Sequence, residues 1–241
     1  MLSIIIPAYN EEKRIAPTLL KISSFFKLNR TKLKDWADFE IILVSDGSDN
    51  TVNVAKTILK SQNISKNLKT LDFSKRLGKG SAVKTGLLLC KGDAIIYDAD
   101  GSTPIDQIFK IRKEFDGGAG LVIGSRKNKE SIIRNNINLK RRLTSRIFNL
   151  FVKLFFGINF KDTQCGFKGI RKEFVKPLAH KLNLRGYEFD VQLINEANKK
   201  GIKTSEIPVV WSHVDNGSLT SFSIISGASM FISLLRYKLS S

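Results

Sequence analysis

Short apolar runs punctuate the first half of the chain at Ser3–Pro7, Glu40–Val44, Leu68–Phe73, Asp93–Tyr97 and Leu121–Ile123. Each is too short for a helix and gives way to polar or glycine-containing turns, the pattern of a strand covered on both faces. Longer amphipathic stretches lie between them. One reaches about Leu28, one begins near Thr51 with Ser48 or Asp49 placed to cap it, and others cover Lys79–Leu89 and Ile105–Phe115. Strands alternating with helices predict βαβ units: an α/β fold with a mostly parallel sheet and helices on both faces. Ligands of such sheets sit at the carboxyl ends of the strands.

The second half has a different texture. Leu139–Ile158 reads as a helix that is basic at its start and apolar afterwards, and Phe160–Gly169 as a loop. A helix follows Glu188-Phe189-Asp190 as far as Lys200, then comes a strand around Ile207–Trp211. The tail from Phe222 to Leu239 is an apolar helix closed by Arg236 and Lys238. Both long helices have the mixed character of core elements or of amphipathic helices lying in a membrane interface.

Composition narrows the partners. The 241 residues contain 40 Lys+Arg against 22 Asp+Glu, a formal charge of +18. A surface this basic implies an anionic partner: nucleic acid, anionic lipid or a phosphorylated substrate. No zinc-finger spacing, basic zipper or RNA-recognition signature is present and aromatics are not interleaved with the basic runs, so the expectation is no nucleic acid. Cys90 and Cys165 stand far apart, which excludes a disulfide framework and fits a reducing compartment. No stretch reaches the ~20 apolar residues of a spanning helix, and the N-terminal apolar run is too short for a signal peptide. The expected location is cytoplasmic, with peripheral attachment to the cytoplasmic face of a membrane.

The residues immediately behind the strands carry the chemistry. Asn10 and Glu11, Asp46 and Asp49, Asp98 and Asp100, then Ser125 and Arg126 occupy the edge where a ligand binds. Asp98-Ala99-Asp100 puts two carboxylates one residue apart at a strand end. There they can share a Mg2+ or Mn2+ whose shell is completed by phosphate oxygens.

Three stretches, Ile4-Ile5-Ile6-Pro7-Ala8-Tyr9-Asn10-Glu11, Val44-Ser45-Asp46-Gly47-Ser48 and Asp98-Ala99-Asp100-Gly101, resemble the donor half of the inverting GT-A-fold transferases of glycosyltransferase family 2. Farther on, Gly124-Ser125-Arg126, Asp162-Thr163-Gln164-Cys165-Gly166-Phe167-Lys168, Phe189-Asp190-Val191 and Glu206-Ile207-Pro208-Val209 resemble its polyprenyl-phosphate branch, nearest to the dolichyl-phosphate β-glucosyltransferases. Those glucosyltransferases usually begin with a membrane-spanning helix, which this sequence does not show. The resemblance implies a single Rossmann-like GT-A domain, with residues 1–126 binding the nucleotide sugar and residues 127–241 facing the acceptor and membrane through C-terminal amphipathic helices. It implies transfer of glucose from UDP-glucose to a polyprenyl phosphate, with GDP-mannose as the alternative donor.

The same resemblance implies a role for each residue. Pro7, Ala8, Tyr9 and Glu11 would line the base and ribose pocket, Asp46 would contact the uracil, and Lys79 and Gln164 would touch the donor. Asp98 would face the ribose or sugar and Asp100 would hold the metal. Spacing itself adds that Arg141 and Ser145, four apart on one helix face, and Arg142 and Arg146, a second such pair, could form a phosphate clamp with Arg126. Beyond Arg146 that helix turns apolar, as suits a lipid whose charged head leads a greasy chain. Asp162 and Asp190 would orient the acceptor or stabilise charge developing on the sugar. A phosphomonoester is already mostly dianionic near neutrality and needs no general base. Cys165, with no histidine beside it, reads as a packing residue.

Overall fold

Uninterrupted apolar sequence and strict alternation of side chains generate the central sheet. In β1 (Leu2–Ala8), Ile4 and Ile6 face one apolar layer and Ile5 the other; in β2 (Phe39–Ser45), Ile41 and Leu43 oppose Ile42 and Val44. Between these strands run α1 (Glu12–Leu28) and the single turn α2 (Arg30–Leu33). The structure, a computed structural model, describes residues 1–134, 139–212 and 224–240, and the side chains of these apart from 139–143 and 224–228.

The chain continues through α3 (Thr51–Ser61), β3 (Leu68–Asp72), α4 (Lys79–Leu89), β4 (Asp93–Ile96), α5 (Ile108–Asp116), β5 (Leu121–Ser125) and the short β6 (Ile132–Ile133). Then come α6 (Leu139–Phe156), β7 (Lys168–Ile170), α7 (Lys172–Ala179), α8 (Phe189–Lys199), β8 (Thr204–Pro208), β9 (Val210–Trp211) and α9 (Ile224–Leu239). The main sheet has the order β3-β2-β1-β4-β7-β5-β8, parallel except for β7, which runs antiparallel between β4 and β5. Strands β6 and β9 form a separate parallel pair. Because β2 and β3 lie on one flank of β1 and β4 on the other, the winding reverses between β1 and β4. In a wound sheet that reversal opens a crevice at the carboxyl ends, which is where ligands bind.

Helices α1, α3 and α5 cover one face through Ile15, Leu19, Ile22, Val52, Leu59 and Ile111. Helices α4, α6, α7, α8 and α9 cover the other, with Val83, Phe148, Leu178, Leu193 and Leu234 among their buried side chains. The expected α/β architecture holds, and four details differ from the sequence reading. The stretch 160–169 is not loop to its end, because Lys168-Gly169-Ile170 enters the sheet as β7. The segment after it forms α7, which was not expected, and the expected strand around Ile207–Trp211 is two strands, β8 beginning earlier at Thr204. At the start of α3 the residue in the capping position is Asn50, although the Asp49 carboxylate accepts from Thr51 N (3.1 Å) and Thr51 Oγ1 (2.6 Å).

The two C-terminal helices pack on each other through aromatic side chains. Phe231 of α9 sits edge-on to Phe148 and Phe151 of α6, at ring separations of 5.7 and 4.8 Å. The Tyr237 hydroxyl donates to Glu196 and accepts from Asn195 Nδ2 (2.8 Å), fastening α9 to the buried helix α8. The faces turned away from this packing leave Ile147, Leu150, Leu154, Phe155, Ile232 and Leu239 exposed. Among the described residues no helix is long and apolar enough to cross a membrane.

Candidate active site

The loops leaving β1 and β4 meet at the reversal point. Asn10 adopts a left-handed backbone (φ 56°), and its Oδ1 accepts from Ser48 N at 2.9 Å, joining the β1 loop to the β2 loop. The α1 terminus is held in the same way: Glu11 N donates to Thr51 Oγ1 and Glu12 N to Asp49 Oδ2, both at 2.9 Å. Asp46 is buried and its Oδ2 accepts from Leu77 N (2.8 Å) and Gly78 N (2.7 Å). The residue expected at the uracil therefore also positions the loop that leads into α4.

That loop delivers Lys79. Gly78 has φ 88° and Gly80 N donates to Arg185 O at 2.7 Å, seating the turn against residues 184–186. Lys79 Nζ then lies 2.6 Å from Asp98 Oδ1. Burial opposes charge on Lys79, but Asp98 and Asp190 outweigh it and raise its pKa. Burial likewise opposes ionisation of Asp98, yet Lys79, Lys168 and Arg126 hold its carboxyl below the usual range. Both groups are ionised in the crevice. Tyr9 and Tyr187 are exposed on its rim, with the Arg76 guanidinium 4.2 Å from the Tyr9 ring and Lys79 Nζ 5.5 Å from that of Tyr187.

Asp100 is arranged differently. Its Oδ1 takes the N–H and hydroxyl of Ser102, while Oδ2 meets Arg14 Nη1 at 3.9 Å, its one ion-pair partner among the described residues. Arg14 in turn binds Glu11 through Nε (2.5 Å) and Nη2. Burial, with Asp100 and Asp98 adding to it, raises Glu11 to about 7 despite this arginine. The donor set suits Mg2+ or Mn2+: Asp98 and Asp100 share one strand end, and Asp100 Oδ2 is loosely held. Three or more His, Cys, Asp or Glu side chains converge nowhere among the described residues. A cation here would be held by one or two carboxylates and completed by diphosphate oxygens.

Two ion pairs line the rest of the edge. Asp162 and Arg126 form a two-pronged contact, Nε to Oδ2 at 2.7 Å and Nη2 to Oδ1 at 2.9 Å, and Arg126 N also donates to Oδ2. Burial opposes the charge on Asp162, but Arg126 wins and lowers its carboxyl to about 2. Lys168, fully buried, puts Nζ 2.7 Å from Asp190 Oδ1 and also donates to Cys165 O. Burial raises the Asp190 pKa against the opposing pull of Lys168 and Lys79. Gly166 lies against Asp98, where a Cβ would stand 1.9 Å from Oδ2.

The structure thus joins Glu11 to Asp100 through Arg14 and Lys79 to Asp98 at the carboxyl edge of the sheet, with Asp46 holding the loop before Lys79 and Pro7, Ala8 and Tyr9 at the end of β1. It pairs Arg126 with Asp162, which the sequence reading treated separately. Gln164 is partly exposed beside Cys165, whose buried thiol is raised to about 11. Ser145 receives Lys127 Nζ on its hydroxyl at 2.6 Å. The Arg141 side chain lies outside the described residues. Sequence reasoning missed Arg14, Arg76 and Lys127, and it named Asp190 without its pairing to Lys168. Of these only Arg14 carried a readable signal, standing three residues from Glu11 on one helix face.

Residues 3–178 match the glycosyl transferase family 2. Across 236 residues the chain is 34% identical to a dolichyl-phosphate beta-glucosyltransferase of Dictyostelium discoideum, covering 92% of this chain and 69% of the relative. The yeast Saccharomyces cerevisiae protein of that name is 33% identical over 237 residues, 90% of this chain and 69% of its own length. Among solved structures, a glucosyl-3-phosphoglycerate synthase from Mycobacterium tuberculosis aligns with TM-score 0.65 at 18% identity, covering all of this chain (100%) and 79% of that one. A mannosyltransferase from Pyrobaculum calidifontis, in complex with GDP-Man and Mn2+, aligns with TM-score 0.57 at 18% identity over 90% of this chain and 58% of that one. At such identities these two similarities speak for the fold.

Proposed function

The chain belongs to glycosyl transferase family 2, and from that premise we propose that it transfers glucose from UDP-glucose to a dolichyl-type polyprenyl phosphate with inversion at the sugar carbon. The observation carrying this reading is the meeting of Tyr9-Asn10-Glu11 and Asp98-Ala99-Asp100 at the reversal point of the sheet, in a chain whose relatives are named dolichyl-phosphate beta-glucosyltransferases. Tyr9, Glu11 and Asp46 would frame the nucleoside, and Lys79 would sit beside the sugar diphosphate. Mg2+ or Mn2+ held by Asp100, with Asp98, would neutralise charge on the departing diphosphate.

An acceptor phosphate oxygen would form the new bond to the sugar C1 as the bond from C1 to UDP breaks. The acceptor phosphate is already ionised, so no proton has to be removed. Asp162 fits this, since a carboxyl held near 2 is a poor proton acceptor at neutral pH. The exposed apolar faces of α6 and α9, with Lys153, Arg236 and Lys238 close by, would rest on the cytoplasmic surface of the membrane that contains the lipid.

The test is to incubate the purified protein with Mg2+ or Mn2+, polyprenyl phosphate and labelled UDP-glucose or GDP-mannose. Label should enter the organic phase from UDP-glucose and require the metal. Asp100→Ala, still folded, should lose at least ~100-fold in rate. Label from GDP-mannose alone would overturn the sugar, and full activity of Asp100→Ala would overturn the metal assignment.

A further inference from the structure

Tyr187 is 46% exposed, yet the loop that carries it is firmly held. Gln192 of α8, fully buried, accepts from Asn183 N and Leu184 N, both at 3.0 Å, and its amide donates to Lys181 O and Asn183 Oδ1. Glu188 Oε1 accepts from Gly186 N at 3.1 Å. The turn into α4 closes the other flank: Gly80 N donates to Arg185 O, and a Cβ on Gly80 would stand 2.2 Å from Leu184 O. An aromatic ring presented by so ordered a loop loses little freedom when a ligand covers it.

The place of that ring along the reactive edge tells which part of a ligand it meets. Lys79 Nζ lies 5.5 Å from the ring centroid and 2.6 Å from Asp98 Oδ1, so one hexose-sized group can touch both Tyr187 and the Asp98 carboxylate. The Tyr9–Arg76 contact joins the loops behind β1 and β3. In the sheet order β3-β2-β1-β4-β7 that pair belongs to one flank. Asp98 follows β4, and Asp190, three residues after Tyr187, meets Lys168 of β7 on the other. The Tyr9–Arg76 contact and Tyr187 thus flank the Lys79–Asp98 pair. With the nucleoside framed by Tyr9 and Asp46 and the diphosphate beside Lys79, the next group along the donor is its hexose.

We propose that Tyr187 is the platform for the donor's hexose, its ring packing against the C–H face of the sugar while Lys79 reaches past it to the diphosphate. This rests on the proposed use of UDP-glucose as donor. An aromatic face is electron-rich and attracts the polarised C–H groups of a sugar as it attracts a cation. A wall fixed both to the turn into α4 and to α8 orients the hexose relative to Asp98, and so sets the direction in which its C1 faces the acceptor.

Calorimetric titrations with UDP-glucose and with UDP, in the presence of Mn2+ and without lipid acceptor, test this. In Tyr187→Ala, UDP-glucose binding should weaken ~3- to 10-fold, the worth of an aromatic contact, while UDP binding and the melting temperature stay at wild-type values. Tyr187→Phe, which keeps the ring, should recover most of the loss. Undiminished UDP-glucose binding by Tyr187→Ala would overturn the platform. So would an equal loss for UDP, which would mean that the ring serves only to place Lys79. A Tyr187→Phe variant as weak as Tyr187→Ala would overturn it too, by assigning the effect to the hydroxyl. Wild-type protein that binds GDP-mannose in place of UDP-glucose would overturn the proposed sugar alone, and the same comparison of GDP-mannose with GDP would then decide the platform. Wild-type protein that binds neither nucleotide sugar would remove the premise, and the inference with it.

Discussion

At the scale of single residues, the crevice is organised by charges whose environments pull in opposite directions. Glu11 is the clearest case. Its folded value near 7 lies above the ordinary 4.5, because burial and two neighbouring aspartates outweigh Arg14. A carboxyl raised on folding contributes stability that is full below about 4.5 and lost as the pH climbs through 7. Wild type should therefore lose at most about 3 kcal/mol between pH 5 and pH 8 through this group, and Glu11→Gln should flatten that slope in denaturant titrations at the two pH values. An unchanged slope would place the titration elsewhere. Glu11 and the Asp98–Asp100 pair were legible as acidic residues behind apolar runs. The Arg126–Asp162 and Lys168–Asp190 pairs were not, because their members are far apart in sequence and only the sheet brings them together.

At the scale of elements, the strands along the reactive edge deliver their chemistry through the loops behind them, and those loops fit one another closely. Strand β7 shows why part of this was unreadable. Lys168-Gly169-Ile170 has no apolar run, and its buried lysine finds Asp190, arriving from α8, at 2.7 Å and the Cys165 carbonyl as partners. Gly166, just before β7, is required by proximity rather than by its backbone angle. The Cβ of Gly166→Ala would fall 1.9 Å from Asp98 Oδ2, so the carboxylate must swing away and abandon Lys79. The expected result is a loss of ~1–3 kcal/mol in stability, typical of an overfilled site, and UDP-glucose binding weakened by roughly tenfold, the worth of a charge-assisted hydrogen bond. Calorimetric titration together with a thermal melt would check both. Wild-type donor affinity in this variant would mean that the Asp98–Lys79 contact has no part in binding.

At the scale of the whole molecule, the +18 charge and the α6–α9 pair both bear on the proposed membrane contact. Apolar side chains exposed beside basic ones favour an anionic lipid surface, each basic group near it adding about 1 kcal/mol at moderate ionic strength. The protein should sediment with phosphatidylserine vesicles and release progressively with salt. Leu154→Asp, at a position 72% exposed, should weaken vesicle binding ~10-fold or more by removing buried apolar area, while UDP-glucose affinity stays unchanged. Vesicle binding unaffected by this change would rule out the α6 face as the membrane contact. The alternation of apolar runs and helices, the acidic residues at strand ends and the excess of positive charge were decided by sequence alone. Each stems from local periodicity or composition, which need no partner in space. The antiparallel insertion of β7, the commitment of Arg126 to Asp162 and the pairing of Lys168 with Asp190 were decided only in the folded chain, because a charge is free or neutralised according to what the fold sets within a few ångströms of it.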